Sequence, residues 1–171
     1  MFESCQAQLK QKISSIRLTV ISGGQTGVDR AALDAAIKWG VSYQGWCPAG
    51  RLAEDGRIPD CYLLRDTPTI DAAERTVRNV QDSEGILILG EMNRSKGTRL
   101  ARKTAISLNR SIYQSEFLEN IEPVLQWLRT LNRGMVNIAG PRESEQPGIY
   151  AGSFKFLDQL LNHLTTDNST S

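Results

Sequence analysis

Short apolar runs alternate along this chain with longer stretches in which apolar residues recur every three or four positions. The first run, Leu18 to Ile21, predicts a strand over about 17–22. A helix is predicted over 26–39, because Val28, Ala31, Ala32, Ala35, Ala36 and Trp39 fall on one face. Thr26 is expected to cap it, with Asp29 in the capping-box position, and Gly40 to end it. Val41 to Trp46 reads as a second strand. The Gly- and Pro-containing stretch 47–60 reads as a long loop, functional or mobile, with a short extended piece near Tyr62–Leu64. A helix over 70–81 is expected to bury Ile70, Ala73, Val77 and Val80. The apolar run from Gly85 to Gly90 suits a strand covered on both faces. After a turn, a helix over 97–108 should face inward through Leu100, Ala101, Thr104, Ala105 and Leu108. A short strand starts at Ser111, and a helix lies over 118–132, its start moved to about Glu122 by Pro123. Met135 to Ala139 is the last strand. The closing helix, 148–164, carries Ile149, Phe154, Leu157, Leu160, Leu161 and Leu164 inward.

Alternating strands and helices imply an α/β, Rossmann-like three-layer fold with a mainly parallel sheet. Residues 1–16 read as a polar leader, 17–164 as a single ligand-binding domain and 165–171 as a disordered tail. Ligands of such sheets bind beyond the carboxyl ends of the strands, where strand order reverses. Three loops leave strand ends that way: 22–27, 90–98 and 140–148.

Composition narrows the partners. With 20 Lys and Arg against 19 Asp and Glu, the net charge is +1, which gives no support for bulk nucleic-acid or membrane binding. No apolar run approaches a membrane span, and the first residues lack a signal-peptide core. Cys5, Cys47 and Cys61 fit neither a disulfide framework nor a structural zinc site, so reduced thiols in a cytoplasmic protein are expected. A lone histidine, His163, argues against a His-dependent triad. No nucleophile–base pair stands out, so no catalytic or metal residue is assigned.

The candidate chemistry is anion binding. Gly23, Gly24, Gln25, Thr26 and Gly27 join a strand to a helix N-terminus, where glycine lets backbone approach a ligand and first-turn N–H groups await an acceptor. The spacing is neither the dinucleotide fingerprint nor a Walker A loop. Lys96, Gly97 and Thr98 offer an ammonium, backbone N–H groups and a hydroxyl. Arg142, with Gly140, Pro141 and Ser144 about it, offers a fork of donors for phosphate or molybdate-like oxygens, unless it pairs with Glu143 or Glu145. The other basic residues of this region, such as Arg102, suit a solvated helix face. Arg51, Glu54, Asp55 and Arg57 read as a turn at Asp55-Gly56 or as a metal-bound or acid/base site.

These segments together resemble a known family. Ile21-Ser-Gly-Gly-Gln-Thr-Gly-Val-Asp-Arg-Ala-Ala-Leu-Asp34 is similar to the first motif of the molybdenum carrier family, the molybdenum-cofactor carrier proteins. Gly45 to Pro59, the block Arg75-Thr76 with Asn79-Val80 and Asp82-Ser83, and Asn137 to Ser144 with Pro147 to Tyr150 resemble its later motifs. The resemblance spans about 18–160. It implies a Rossmann-like homodimer or homotetramer that binds molybdenum cofactor (molybdopterin), or molybdate or phosphate, protects it without chemical turnover, and serves molybdoenzyme recipients. By position it assigns the ligand to Gly23 to Gly27, Gly97-Thr98 and Gly140 to Ser144. Trp39, Trp127 and the apolar face of the last helix are candidate interface surface or else core of the monomer, Trp127 more so. Lys96 departs from the family's small residue there, and either narrows the pocket or adds a contact.

The wider fold group resembles the Lonely-guy phosphoribohydrolases, which act on nucleoside monophosphates. Their catalytic glutamate after Gly-Thr is missing, since Arg99, Leu100, Ala101 and Arg102 follow Thr98. That enzyme and a nucleotide-sensing module are the alternative readings.

Overall fold

The run Gly85–Leu89 forms a strand buried at every position, as its unbroken apolar sequence requires. In a computed structural model, which describes residues 17–115 and 120–167, it is the fourth of five strands in one sheet. Those strands are β1 (Thr19–Ile21), β2 (Ser42–Gln44), β7 (Gly85–Leu89), β8 (Ser111–Ser115) and β9 (Met135–Ala139). Their order is β2-β1-β9-β7-β8, and every pair is parallel. Short strands β3 (Trp46–Cys47), β4 (Leu52–Ala53), β5 (Gly56–Arg57) and β6 (Arg65–Asp66) lie outside that sheet.

Alternate residues of β7 feed two cores. Leu87 and Leu89 join Val20, Val136 and Ile138 beneath α1 (Val28–Trp39) and α5 (Ile149–Asp167). Ile86 and Ile88 join Val80, Ala101 and Ala105 of α2 (Ala72–Gln81) and α3 (Lys96–Ser107). Helix α4 (Glu122–Leu128) adds Val124, Leu125 and Leu128 to the first core, with Pro123 in its first turn. This is the expected three-layer α/β fold. Connections from β1 run toward β2 and those from β7 toward β8, so β9 fills the switch point between them. No helix among the described residues is long and apolar enough to cross a membrane.

Several local expectations are corrected. Thr26 does not cap α1. Gly27 does, without a side-chain bond, because the Thr26 hydroxyl donates to Glu54 instead. Ile70 is exposed, and α2 buries Thr76, Asn79 and Val80. Leu108 is also exposed, as the C-cap of α3. The second predicted strand divides at buried Gly45, where a side chain would collide with the Ser22 carbonyl. The stretch 47–60 is no structureless loop. Arg51, at φ 57, donates from its guanidinium to the carbonyls of Ile58, Pro59 and Tyr62 at 3.1, 2.9 and 2.8 Å, and the β4–β5 hairpin folds over it. Helix α5 continues through residues 165–167 of the expected tail, whereas 168–171 and the leader 1–16 lie outside the described residues.

Candidate functional site

Helix α3 starts where β7 delivers the chain to the sheet edge. Ser95 caps it by accepting the Thr98 N–H at 3.2 Å, so the first-turn amides of Lys96 and Gly97 remain without intrahelical partners. Opposite, Asp71 caps α2 and places Arg75 one turn in. Asn79, a turn later, exchanges two hydrogen bonds with the Trp46 backbone, at 2.8 and 3.0 Å, and so fixes α2 to β3. β9 contributes Asn137 and leads into Gly140 and Arg142.

These elements enclose a cavity of about 210 Å³, lined by Gln25, Arg75, Lys96, Gly97, Thr98, Asn137, Gly140 and Arg142 among others. Three cations, Arg75, Lys96 and Arg142, face one carboxylate, Asp29. Asp29 accepts from Arg75 at 2.7 Å; the Asp29 side chain is buried and that of Arg75 is 13% exposed. Among the described residues, the Thr98 hydroxyl and Arg75 Nε are buried without a hydrogen-bond partner. Leaving such groups unpaired costs about 1–3 kcal/mol each, and an oxyanion in the cavity would supply acceptors. Arg142 makes no ion pair among the described residues: Glu145 accepts its backbone N–H at 2.9 Å, and Glu143 accepts those of Gly148 and Tyr150.

The twelve residues picked from sequence divide into three groups. Gln25, Lys96, Gly97, Thr98, Gly140 and Arg142 line this cavity. Thr26, Gly27 and Ser144 line a second, more open one of about 710 Å³, with Arg30, Asp34, Tyr62 and Tyr150. Gly23, Gly24 and Pro141 line neither. The Pro141 carbonyl accepts the Val28 N–H at 3.3 Å, so backbone occupies the first amide of α1. Gly23 makes room for Arg75, whose guanidinium lies where a Cβ would project. Gly24, at φ 71, packs against Ile58 and Leu64 rather than against open space.

The acids Glu54, Asp55 and Glu143 line the second cavity and are all engaged. Glu54 accepts from the Thr26 and Ser144 hydroxyls and the Ser144 N–H, and Asp55 pairs with Arg30 at 3.0 Å. Burial pushes the Glu54 carboxyl up, but these hydrogen bonds and the Arg142 charge outweigh it and hold it below its usual value. The Cys47 thiol is buried beside Asp66 and pushed up to about 11, so it is a poor nucleophile.

Arg75, Asp29 and Asn137 escaped selection as site residues. Asn137 was visible as the one polar residue within the apolar β9 run. Arg75 stands in one of the resembling motif blocks with no role attached to it there, and its tertiary pairing with Asp29 supplies one.

The model of the circularly permutated YpsA SLOG family matches residues 20–161. The chain belongs to that family. A crystal structure from Syntrophus aciditrophicus SB, named "Putative molybdenum carrier protein", is similar to this SLOG chain at 39% sequence identity with a TM-score of 0.75. The likeness covers 84% of this chain and 94% of that one. No curated protein matches this SLOG family member.

Proposed function

We propose that this protein binds and protects molybdenum cofactor, or a related molybdopterin, by seating its anionic end in the cavity between α2 and α3. The observation that carries the reading is the buried, unpartnered Thr98 hydroxyl in a cavity lined by three cations. The name of the similar Syntrophus protein supplies the cargo class. The cavity, at about 210 Å³, is smaller than the roughly 300–1,000 Å³ of sites that enclose a whole ligand. It suits a terminal phosphate or an oxo-metal end. Ala72, Ala73 and Leu100 add apolar surface to the same lining.

The same proposal includes a homodimer or homotetramer, delivery to molybdoenzymes and a cytoplasmic setting. Cys47 and Cys61 form no disulfide among the described residues, in keeping with a reducing compartment. The aromatic residues first considered for an interface serve the chain itself. Trp39 donates to Asp158 at 2.7 Å, Trp127 to Ser111 at 2.8 Å, and the apolar face of α5 is buried in the first core. Both indoles remain half-buried, and light scattering at micromolar concentration tests assembly: a single monomer mass contradicts it.

The cargo is tested by incubating the pure protein anaerobically with released molybdenum cofactor, removing free ligand, and assaying retained molybdenum and pterin fluorescence. Stoichiometric retention that inorganic phosphate competes away is expected. Retention no better than that of serum albumin contradicts the proposal.

A further inference from the structure

We infer that Arg75 is the residue that grips the bound oxyanion and that Asp29 is its positioning residue, an assignment that rests on the cavity reading above.

Arg75 spans from α2 to the start of α1, where its Nη1 donates to Asp29 Oδ2 at 2.7 Å. That bond uses one end of the guanidinium. The Nε–Nη2 edge is the one that matches two oxygens of a phosphate or carboxylate side by side. Nε is buried without a partner, and Arg75 lines the cavity together with the equally unpartnered Thr98 hydroxyl. A desolvated guanidinium N–H without an acceptor is costly, so its geometry is that of a site awaiting one. The fold has made room for this placement: Gly23 has no side chain where Arg75 Nη1 and Cζ lie. Asp29 is itself 6% exposed and belongs to the first turn of α1, a rigid support. Its carboxylate holds the guanidinium plane and offsets part of the charge. The fork is thereby oriented before ligand arrives, which reduces the ordering cost of binding.

The role differs from that of Lys96, an exposed point charge at the rim, and from that of Arg142, half-buried on the loop after β9. Among the described residues, only Arg75 of the three cations is clamped by a carboxylate. It therefore contributes geometric selectivity for a tetrahedral or planar oxyanion, beyond simple attraction of negative charge.

The test uses inorganic phosphate and molybdate as probes, with the full chain, by calorimetry and by NMR of the arginine Nε–H groups. The Arg75 Nε–H is assigned through its own side-chain carbons. In the wild type it should shift on saturation with either anion. Arg75→Lys keeps a cation for Asp29 but loses the fork, and should bind about ten- to a hundred-fold more weakly. Asp29→Asn, which keeps an acceptor oxygen, should retain the anion-induced shift, and Asp29→Ala should lose it. Wild-type binding with no Arg75 Nε–H shift, or equal affinity in Arg75→Lys, overturns the assignment and leaves the cavity reading standing. Absence of saturable binding of either anion to the wild type overturns both. Should Arg75→Lys fail to fold, the wild-type resonance decides alone.

Discussion

Glu54 donates its backbone N–H to Gln25 Oε1 at 2.9 Å, and the Thr26 N–H reaches the same oxygen at 3.1 Å. Two donors at one oxygen fix which end of the Gln25 amide accepts, in a residue that lines the cavity. A hairpin distant in sequence thereby sets the polarity of one wall of the site.

Gln25→Glu tests this polarity with an isosteric change. One carboxylate oxygen keeps both backbone donors, and the other presents negative charge to an anion site. Phosphate affinity measured by calorimetry should fall at least about tenfold, the order expected when a charge-assisted contact is reversed. Unchanged affinity in a folded variant contradicts the orientation.

Glu54 also closes the hairpin onto Thr26 and Ser144. Its carboxyl titrates below its usual value in the folded protein. Its contribution to stability is therefore present above the unfolded carboxyl pKa and is lost as pH falls through the lower folded value. Denaturant midpoints of the wild type and Glu54→Gln should differ at pH 7 and converge as pH drops below about 4. A gap that stays constant to pH 3 shows that the charged form carries no special stabilisation.

The two adjacent glycines should separate binding from stability. Gly23→Ala drives a methyl into the Arg75 guanidinium, which is the movable end of a long side chain. Anion affinity should fall about tenfold or more, with modest loss of stability. Gly24→Ala must hold a side chain at φ 71, against Leu64 Cδ1 at 2.7 Å. It should destabilise by about 1–3 kcal/mol, with a smaller effect on affinity. Thermal unfolding and phosphate titration of both variants check the contrast, and equal profiles refute it.

Arg102 is exposed on α3 and does not line the cavity, whereas Arg142 does. Arg142→Ala should weaken anion binding about ten- to a hundred-fold, and Arg102→Ala should leave it within about twofold. Comparable losses in both would mean that binding depends on diffuse positive charge.

Much of the scaffold was legible because periodicity reports which face of an element is covered. Met135–Ala139 matched its apolar run residue for residue, and Gly40 ended α1 in the left-handed conformation. The failures share a physical origin in contacts made across long sequence distances. Thr26 had the right chemistry for a cap, but Glu54, 28 residues away in sequence, claimed its hydroxyl. The strand–helix turn looked open to a ligand from both glycines. In the fold, one accommodates Arg75 and the other packs under the long hairpin segment. Loop 140–148 and the 25–27 turn each pass between two cavities, so neighbouring residues such as Arg142 and Ser144 face different spaces. Adjacency along the chain could not reveal that partition.

The central claim is the location of the anion site, and backbone amide shift mapping during titration with inorganic phosphate tests it most directly. The account predicts the largest saturable shifts at Gly97, Thr98, Asn137, Gly140 and Arg142, with Arg30, Asp55 and Tyr150 little changed. Shifts concentrated at Arg30, Asp55 and Tyr150, with Gly97 and Thr98 unmoved, would place the anion in the other cavity and contradict the account.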